Sequence, residues 1–316
     1  MSILLDVFLL ILGFVLLVKS AEVFVNASVE IAKRLKIPNM VIGLTVVAMG
    51  TSAPELVISV SAAIGGSGDL AVANVVGSNI FNLMFIVGFC ALLFPIDVKL
   101  RAISRDYWVS VAATIFLLII VILFNDTMPR FGSLILLLGF VTYMAIVVRH
   151  ALKNKIHEDD SDESAVKPKL LAQSIFLAVL GAAFIVGGGQ LTVSSAVSIA
   201  LALGVTERVI GLTIVAMGTS LPELVTTLIA CRKKEGEFAL GFIIGSSIFN
   251  IMFVLGIAGL ITPLTIESGV IFDLAVLTAG TLTFFLFADS SRRVVRLEGF
   301  TMVMIYAAYM AFVLLI

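Results

Sequence analysis

Charge is what this 316-residue chain has least of. Lysine, arginine, aspartate and glutamate make up 13% of it and hydrophobic residues 60%, whereas a soluble domain carries about 25% charged residues. That composition excludes a water-soluble globular protein. Cysteine is nearly absent: Cys90 and Cys231 have neither metal-ligand spacing nor the partners of a disulfide framework, and both are expected to be buried structural thiols. The two histidines, His150 and His157, share one polar stretch. No serine or glutamate in the apolar sequence therefore has a histidine base close by, which argues against an intramembrane enzyme. A cleavable leader is not expected either, because the first apolar run lacks a basic flank and is too long for a signal core.

What is abundant is apolar sequence in runs long enough to cross a hydrocarbon core. Ten are found, at 3–32, 40–64, 70–94, 108–124, 131–148, 171–203, 209–230, 238–261, 270–288 and 300–316. The expected fold class is an all-α integral membrane protein. The first and sixth runs are long enough to require strong tilt. Of the 20 lysines and arginines, 17 fall in the loops after odd-numbered runs, while Arg130 and Arg208 lie on the other side and Lys19 within the first run. The positive-inside rule then puts both termini outside and the 149–169 loop in the cytoplasm of a cell whose plasma membrane holds the protein.

The chain also repeats itself. VIGLTVVAMGTSAPEL from Val41 returns as VIGLTIVAMGTSLPEL from Val209, with 14 of 16 positions identical, and GSNIFNLMF from Gly77 returns as GSSIFNIMF from Gly245. Both pairs are offset by 168 residues (55 to 223, 82 to 250). Five spans is an odd number, so the second copy enters the bilayer from the opposite face. The organisation read from this is a first five-helix repeat at 1–148, a linker at 149–169 and an inverted repeat at 170–316. Inverted repeats of this kind build transporters whose ion site lies where the halves meet.

The repeated motif carries the chemistry. Gly50 and Pro54, with Gly218 and Pro222, should break their helices, since proline lacks a donor and clashes with the carbonyl four residues back. Carbonyls at Ala48, Met49, Gly50 and Thr51, and at their counterparts, are then expected to be freed. Irregular backbone at membrane depth is tolerated only inside protein or against a watery cavity. Carbonyl, hydroxyl and carboxylate oxygens together are the donor set of a hard cation such as Ca2+. Glu55 and Glu223 supply charge, at a cost of at least ~2.5 kcal/mol each near the bilayer centre. Asn82 and Asn250, with Ser78 and Ser246 on the same helical faces, add further oxygens.

The paired GTS(A/L)PE and GS(N/S)IFN motifs resemble those of the sodium/calcium exchanger family, in its compact prokaryotic form, over essentially the whole chain. The resemblance implies an antiporter that exchanges Na+ for Ca2+ by alternating access, with both ions as cargo and no cofactor. Carried over by position, the cation ligands are the carboxylates of Glu55 and Glu223, the amides of Asn82 and Asn250, the side-chain oxygens of Thr51, Thr219, Ser52, Ser220, Ser78 and Ser246, and the carbonyls of Ala48 and Ala216. It further implies that spans one and six slide together past the four motif helices. Asn250 departs from many relatives, which carry Asp there, so the site holds two carboxylates; this resembles the potassium-independent type. A Ca2+/H+ or other cation antiporter is the alternative, although no acid occurs within the 70–94 run. A cation channel is disfavoured because one monomer completes the site. Partners are the two ions and the lipid bilayer, with no nucleic acid and no obligatory protein.

Four smaller features complete the reading. Lys19 and Glu22 are spaced to pair on one helix face. Gly187–Gly189 suits close packing of the sixth span, and Asp69 and Glu237 suit helix-dipole capping. HEDDSDES in the 149–169 stretch reads as a solvated linker.

Overall fold

The computed structural model describes residues 3–153, 170–204, 216–266 and 268–315. Over these residues a hydrophobic chain in lipid must satisfy its backbone internally, and helices do so within one segment. The helices are α1 (Ile3–Leu35), α2 (Asn39–Thr51), α3 (Ala53–Ile64), α4 (Gly68–Leu93), α5 (Leu100–Leu123), α6 (Arg130–Lys153), α7 (Leu171–Ala202), α8 (Ala216–Gly218), α9 (Leu221–Arg232), α10 (Gly236–Ile261), α11 (Ser268–Ser291) and α12 (Arg296–Leu315). Eight are long and apolar enough to span a bilayer, and α2 with α3 forms a ninth span bent by 48°. The one remaining expected run, the seventh at 209–230, begins outside the described residues; α8 and α9 are its described part. The linker from 154 to 169, with the HEDDSDES run, and Arg208 also lie outside them.

Helix ends depart from the apolar runs where polar residues continue a helix into the interface. The largest difference is at α5, which starts at Leu100 instead of 108. Large apolar side chains such as Leu4, Phe8, Ile122 and Leu286 stand exposed on the surface, as suits a chain whose outer solvent is hydrocarbon. The most buried spans are α4 and α10, the two that carry the GS(N/S)IFN motif.

Structure follows the 168-residue offset closely. Helices α1, α4 and α5 recur as α7, α10 and α11, and a π-helical turn at Phe81–Ile86 recurs at Phe249–Val254. Two short strand pairs lace the halves together. Strand β1 (Ile96–Asp97) pairs antiparallel with β4 (Arg293–Val294), and β2 (Thr127–Met128) with β3 (Leu264–Thr265). Each pair takes one strand from each half.

α1 and α7 share the most extensive helix–helix interface. At 33 and 32 residues they are about 50 Å long, well beyond a hydrocarbon core of about 30 Å. Glycine permits their close approach: a Cβ on Gly188 would lie 2.8 Å from the Leu17 nitrogen, and one on Gly13 would lie 2.8 Å from the Thr192 nitrogen. Of the triple glycine, Gly188 packs against α1, Gly189 faces Pro222 on α9, and Gly187 would have nothing within 4 Å of a Cβ. Asp6 on α1 accepts a hydrogen bond from Ser198 on α7 at 2.9 Å, tying the same two helices.

Lys19 and Glu22 do approach, at 3.9 Å, but with side chains 74% and 50% exposed. The pair is a surface contact worth little, not the settlement of buried charge. Glu237 occupies the first turn of α10 and Asp69 that of α4, as dipole capping requires. Glu237 also ion-pairs with Lys99, and that carboxylate holds the Lys99 ammonium above its ordinary range.

Candidate functional site

The helix breaks lie one residue before the prolines' own turns. Ser52 leaves helical geometry at φ −82°, ψ 14°, and Ser220 does the same at φ −91°, ψ 10°. Pro54 and Pro222 then stand in the first turns of α3 and α9, where a missing N–H costs nothing. The expected freeing of carbonyls is narrower than the motif suggested. Ala48 keeps a backbone partner, accepting from the Ser52 N–H at 3.1 Å, because the chain completes one more helical turn before bending. Gly50 and Gly218 stand four residues before Pro54 and Pro222, which have no N–H to give to their carbonyls.

Each serine at the break occupies an N-cap position yet does not cap its own helix. Ser52 Oγ donates across the molecule to Glu223 Oε1 at 3.2 Å, and Ser220 Oγ donates to Glu55 Oε1 at 3.4 Å. The two contacts are the same contact made twice, with the halves exchanged. It brings the N-termini of α3 and α9 together, each with a glutamate in its first turn. Helix N-termini carry partial positive charge, which favours a carboxylate there over one free in the bilayer.

Ser246 on α10 joins Ser52 at 2.8 Å and receives the Asn82 Nδ2 at 3.4 Å. With Ser52 donating to Glu223, the bonds run in one direction from the Asn82 amide through Ser246 and Ser52 to the carboxylate. Thr51, also against Glu223, directs its hydroxyl to the Val47 carbonyl at 3.2 Å. Ser78 turns back to the Val75 carbonyl at 3.0 Å, so it does not reproduce the role of its counterpart Ser246. Thr219 is half-buried beside Ser220, and Ala216 opens the short turn α8 ahead of them.

Glu55, Glu223, Ser52, Ser220, Ser246, Asn82 and Asn250 are all 0% exposed. Four of their oxygens have no hydrogen-bond partner among the described residues: Glu55 Oε2, Glu223 Oε2, Asn82 Oδ1 and Asn250 Oδ1. They form two pairs under the 168-residue offset. A buried acceptor without a donor costs about 1–3 kcal/mol, more if charged. Four acceptors with no donor among them suit a ligand that needs only acceptors, which is a metal cation.

Asn79 was not among the expected site residues, although it stands inside the second motif. It donates to the Ser247 carbonyl at 3.2 Å and accepts from the Asn250 amide at 3.2 Å. The signal that reveals it in the sequence is a difference: position 79 is Asn where its counterpart, 247, is Ser. Asn74, donating to Ser59 at 3.0 Å and to the Glu55 carbonyl at 3.4 Å, was also not among the expected residues.

Residues 5–149 and 173–315 match the family described as sodium/calcium exchanger protein. The chain is 39% identical over 306 residues to the putative antiporter CaxA of Alkalimonas amylolytica, covering 95% of each. It is 34% identical over 339 aligned positions to the sodium/calcium exchanger MaX1 of Methanosarcina acetivorans, covering 96% of each. The structure superimposes on the sodium-calcium exchanger NCX_Mj, soaked with 10 mM Na+ and 10 mM Sr2+, with a TM-score of 0.85 and 32% identity, covering 98% of this chain and 99% of that one.

Proposed function

This chain belongs to the sodium/calcium exchanger protein family of cation antiporters, as an all-α membrane protein of ten spans in two inverted repeats, and on that premise we propose that it exchanges Na+ for Ca2+ at the Glu55–Glu223 cluster. It is a transporter, not an enzyme. The observation that carries the reading is the set of four unpartnered acceptor oxygens, two of them carboxylate, buried where the halves meet. In this reading Glu55, Glu223, Asn82 and Asn250 are the cation ligands, with Thr51, Ser52, Ser220, Ser246, Thr219 and Ser78 supplying or orienting further oxygens and the Ala48 and Ala216 carbonyls completing the Na+ sites.

Exchange follows from competition. One Ca2+, or several Na+, neutralises two carboxylates that would otherwise have to pass through a closed, poorly hydrated barrier, and that passage is strongly unfavourable. The empty carrier therefore does not reorient, and each ion must displace the other. The halves, taken as the five-helix units on either side of the linker, exchange conformations as the α1–α7 pair slides past the cluster. With more than two Na+ per Ca2+ the cycle moves net charge, and the membrane potential contributes ~2.3 kcal/mol per charge per 100 mV. Two carboxylates make K+ co-transport unnecessary for charge balance. Plasma-membrane residence, with both termini outside, completes the proposal.

The test is 45Ca2+ uptake into proteoliposomes loaded in turn with Na+, with K+ or with a proton gradient. Uptake that requires internal Na+, and rises with an inside-positive potential, is the expected result. Uptake driven by the proton gradient alone would assign Ca2+/H+ antiport instead.

A further inference from the structure

An amide side chain can serve as a cation ligand only if its oxygen faces the ion, and rotation by 180° would present its NH2 group instead. In the first half, Asn82 is oriented by the chain through Ser246 and Ser52 to Glu223. Ser78, the counterpart of Ser246, bonds the Val75 carbonyl instead, so that device is not repeated for Asn250. A different one stands in its place. The Ser247 backbone carbonyl can only accept, so the 3.2 Å contact from Asn79 fixes the Asn79 NH2 on that side. Asn79 Oδ1 is thereby turned toward Asn250, and Asn250 must present its own NH2 to it, at 3.2 Å. The Asn250 oxygen is left as the buried, unpartnered acceptor. The π-helical turn starting at Phe249 adjoins the carbonyl that Asn79 uses; such turns shift a helix's carbonyl ladder and occur often at functional sites.

We propose that Asn79 is a positioning residue for the exchange reaction: it holds the Asn250 oxygen toward the transported cation and makes position 250 fit an amide in preference to a carboxylate. This rests on the Glu55–Glu223 cluster being the cation site. A carboxylate at 250 would set one of its oxygens against Asn79 Oδ1, acceptor against acceptor. Asn79 could relieve that only by rotating, which would set its own oxygen against the Ser247 carbonyl. Asn79 thus touches no cation and acts wholly through its neighbour.

The experiment is a double-mutant cycle read as the Ca2+ concentration for half-maximal Na+-driven uptake, in proteoliposomes, with Na+-dependent folding controls by size-exclusion and thermal unfolding. Asn79→Ala should raise the half-saturating concentration about tenfold, the scale of one buried hydrogen bond. In an Asn250→Asp background, where both side-chain oxygens are acceptors and rotation changes nothing, Asn79→Ala should leave it unchanged or lower it. The same factor in both backgrounds, or a change below about twofold in the Asn250 background, would overturn the proposal. If Asn79→Ala does not fold, Asn79→Ser takes its place; failure of both, with Asn250→Ala folded, would make Asn79 a packing residue and also overturn it. Asn250→Ala separates the two levels of the argument: if it transports with unchanged half-saturation, the assignment of the cation site itself is wrong.

Discussion

Replacing Glu55 or Glu223 by glutamine keeps shape and volume while removing charge and turning one acceptor into a donor. Each carboxylate has one oxygen engaged by a serine from the other half and one without a partner. Glu55→Gln and Glu223→Gln should therefore leave folding intact and lower Ca2+ transport at least 100-fold, roughly 2.7 kcal/mol of cation stabilisation; 45Ca2+ uptake and thermal unfolding on the same samples check this. The serines should not be equivalent. Ser52 links to both Glu223 and Ser246, whereas Ser220 links to Glu55, so Ser52→Ala should weaken Ca2+ half-saturation about tenfold and Ser220→Ala only a few-fold. At this scale repetition made the glutamates, serines and asparagines legible, because a polar residue kept twice in apolar sequence needs a reason. Asn79 and Asn74 were not legible that way, since neither is repeated and their roles depend on where a helix carbonyl on another segment happens to lie.

Among the elements, α1 and α7 offer the sharpest test. A methyl group on Gly188 would meet the Leu17 backbone, while one on Gly187 would meet nothing within 4 Å. Gly188→Ala should destabilise the protein by about 1–3 kcal/mol through overpacking. Gly187→Ala should be neutral or stabilising by up to about 1 kcal/mol, as alanine is the better helix former. Melting temperatures in detergent distinguish the two. The apolar runs and the proline breaks were readable because helix length and missing donors are properties of the local chain. The π-helical turns at Phe81–Ile86 and Phe249–Val254 were not, since one extra residue in a turn leaves the apolar run unbroken. The α5 start was missed because Arg101 and Arg105 interrupt the apolar run without interrupting the helix.

For the molecule as a whole, an odd number of spans per repeat was enough to read the inversion, and the 17 basic residues on one side predict its orientation. Strands of two residues leave no pattern in a sequence, so the ribbons that join the halves could not be foreseen. They do provide reporters. Asp97 on β1 has an 84% exposed side chain, and Thr265 on β3 is also exposed. With Cys90 and Cys231 replaced by alanine, Asp97→Cys should react with a membrane-impermeant maleimide from the cytoplasmic side only, and Thr265→Cys from the opposite side only. Labelling of both from one side would contradict the proposed topology.

The ribbons have a consequence for biogenesis. Strands β1 and β2 leave the ribosome with the first repeat, but their partners β4 and β3 belong to the second, as does Ser220, the donor to Glu55. The first repeat enters the membrane with its carboxylate and both strands lacking these mates. Maturation must wait for the last helices to arrive, and a chain cut between the repeats should yield a working carrier only if both fragments are made in the same cell.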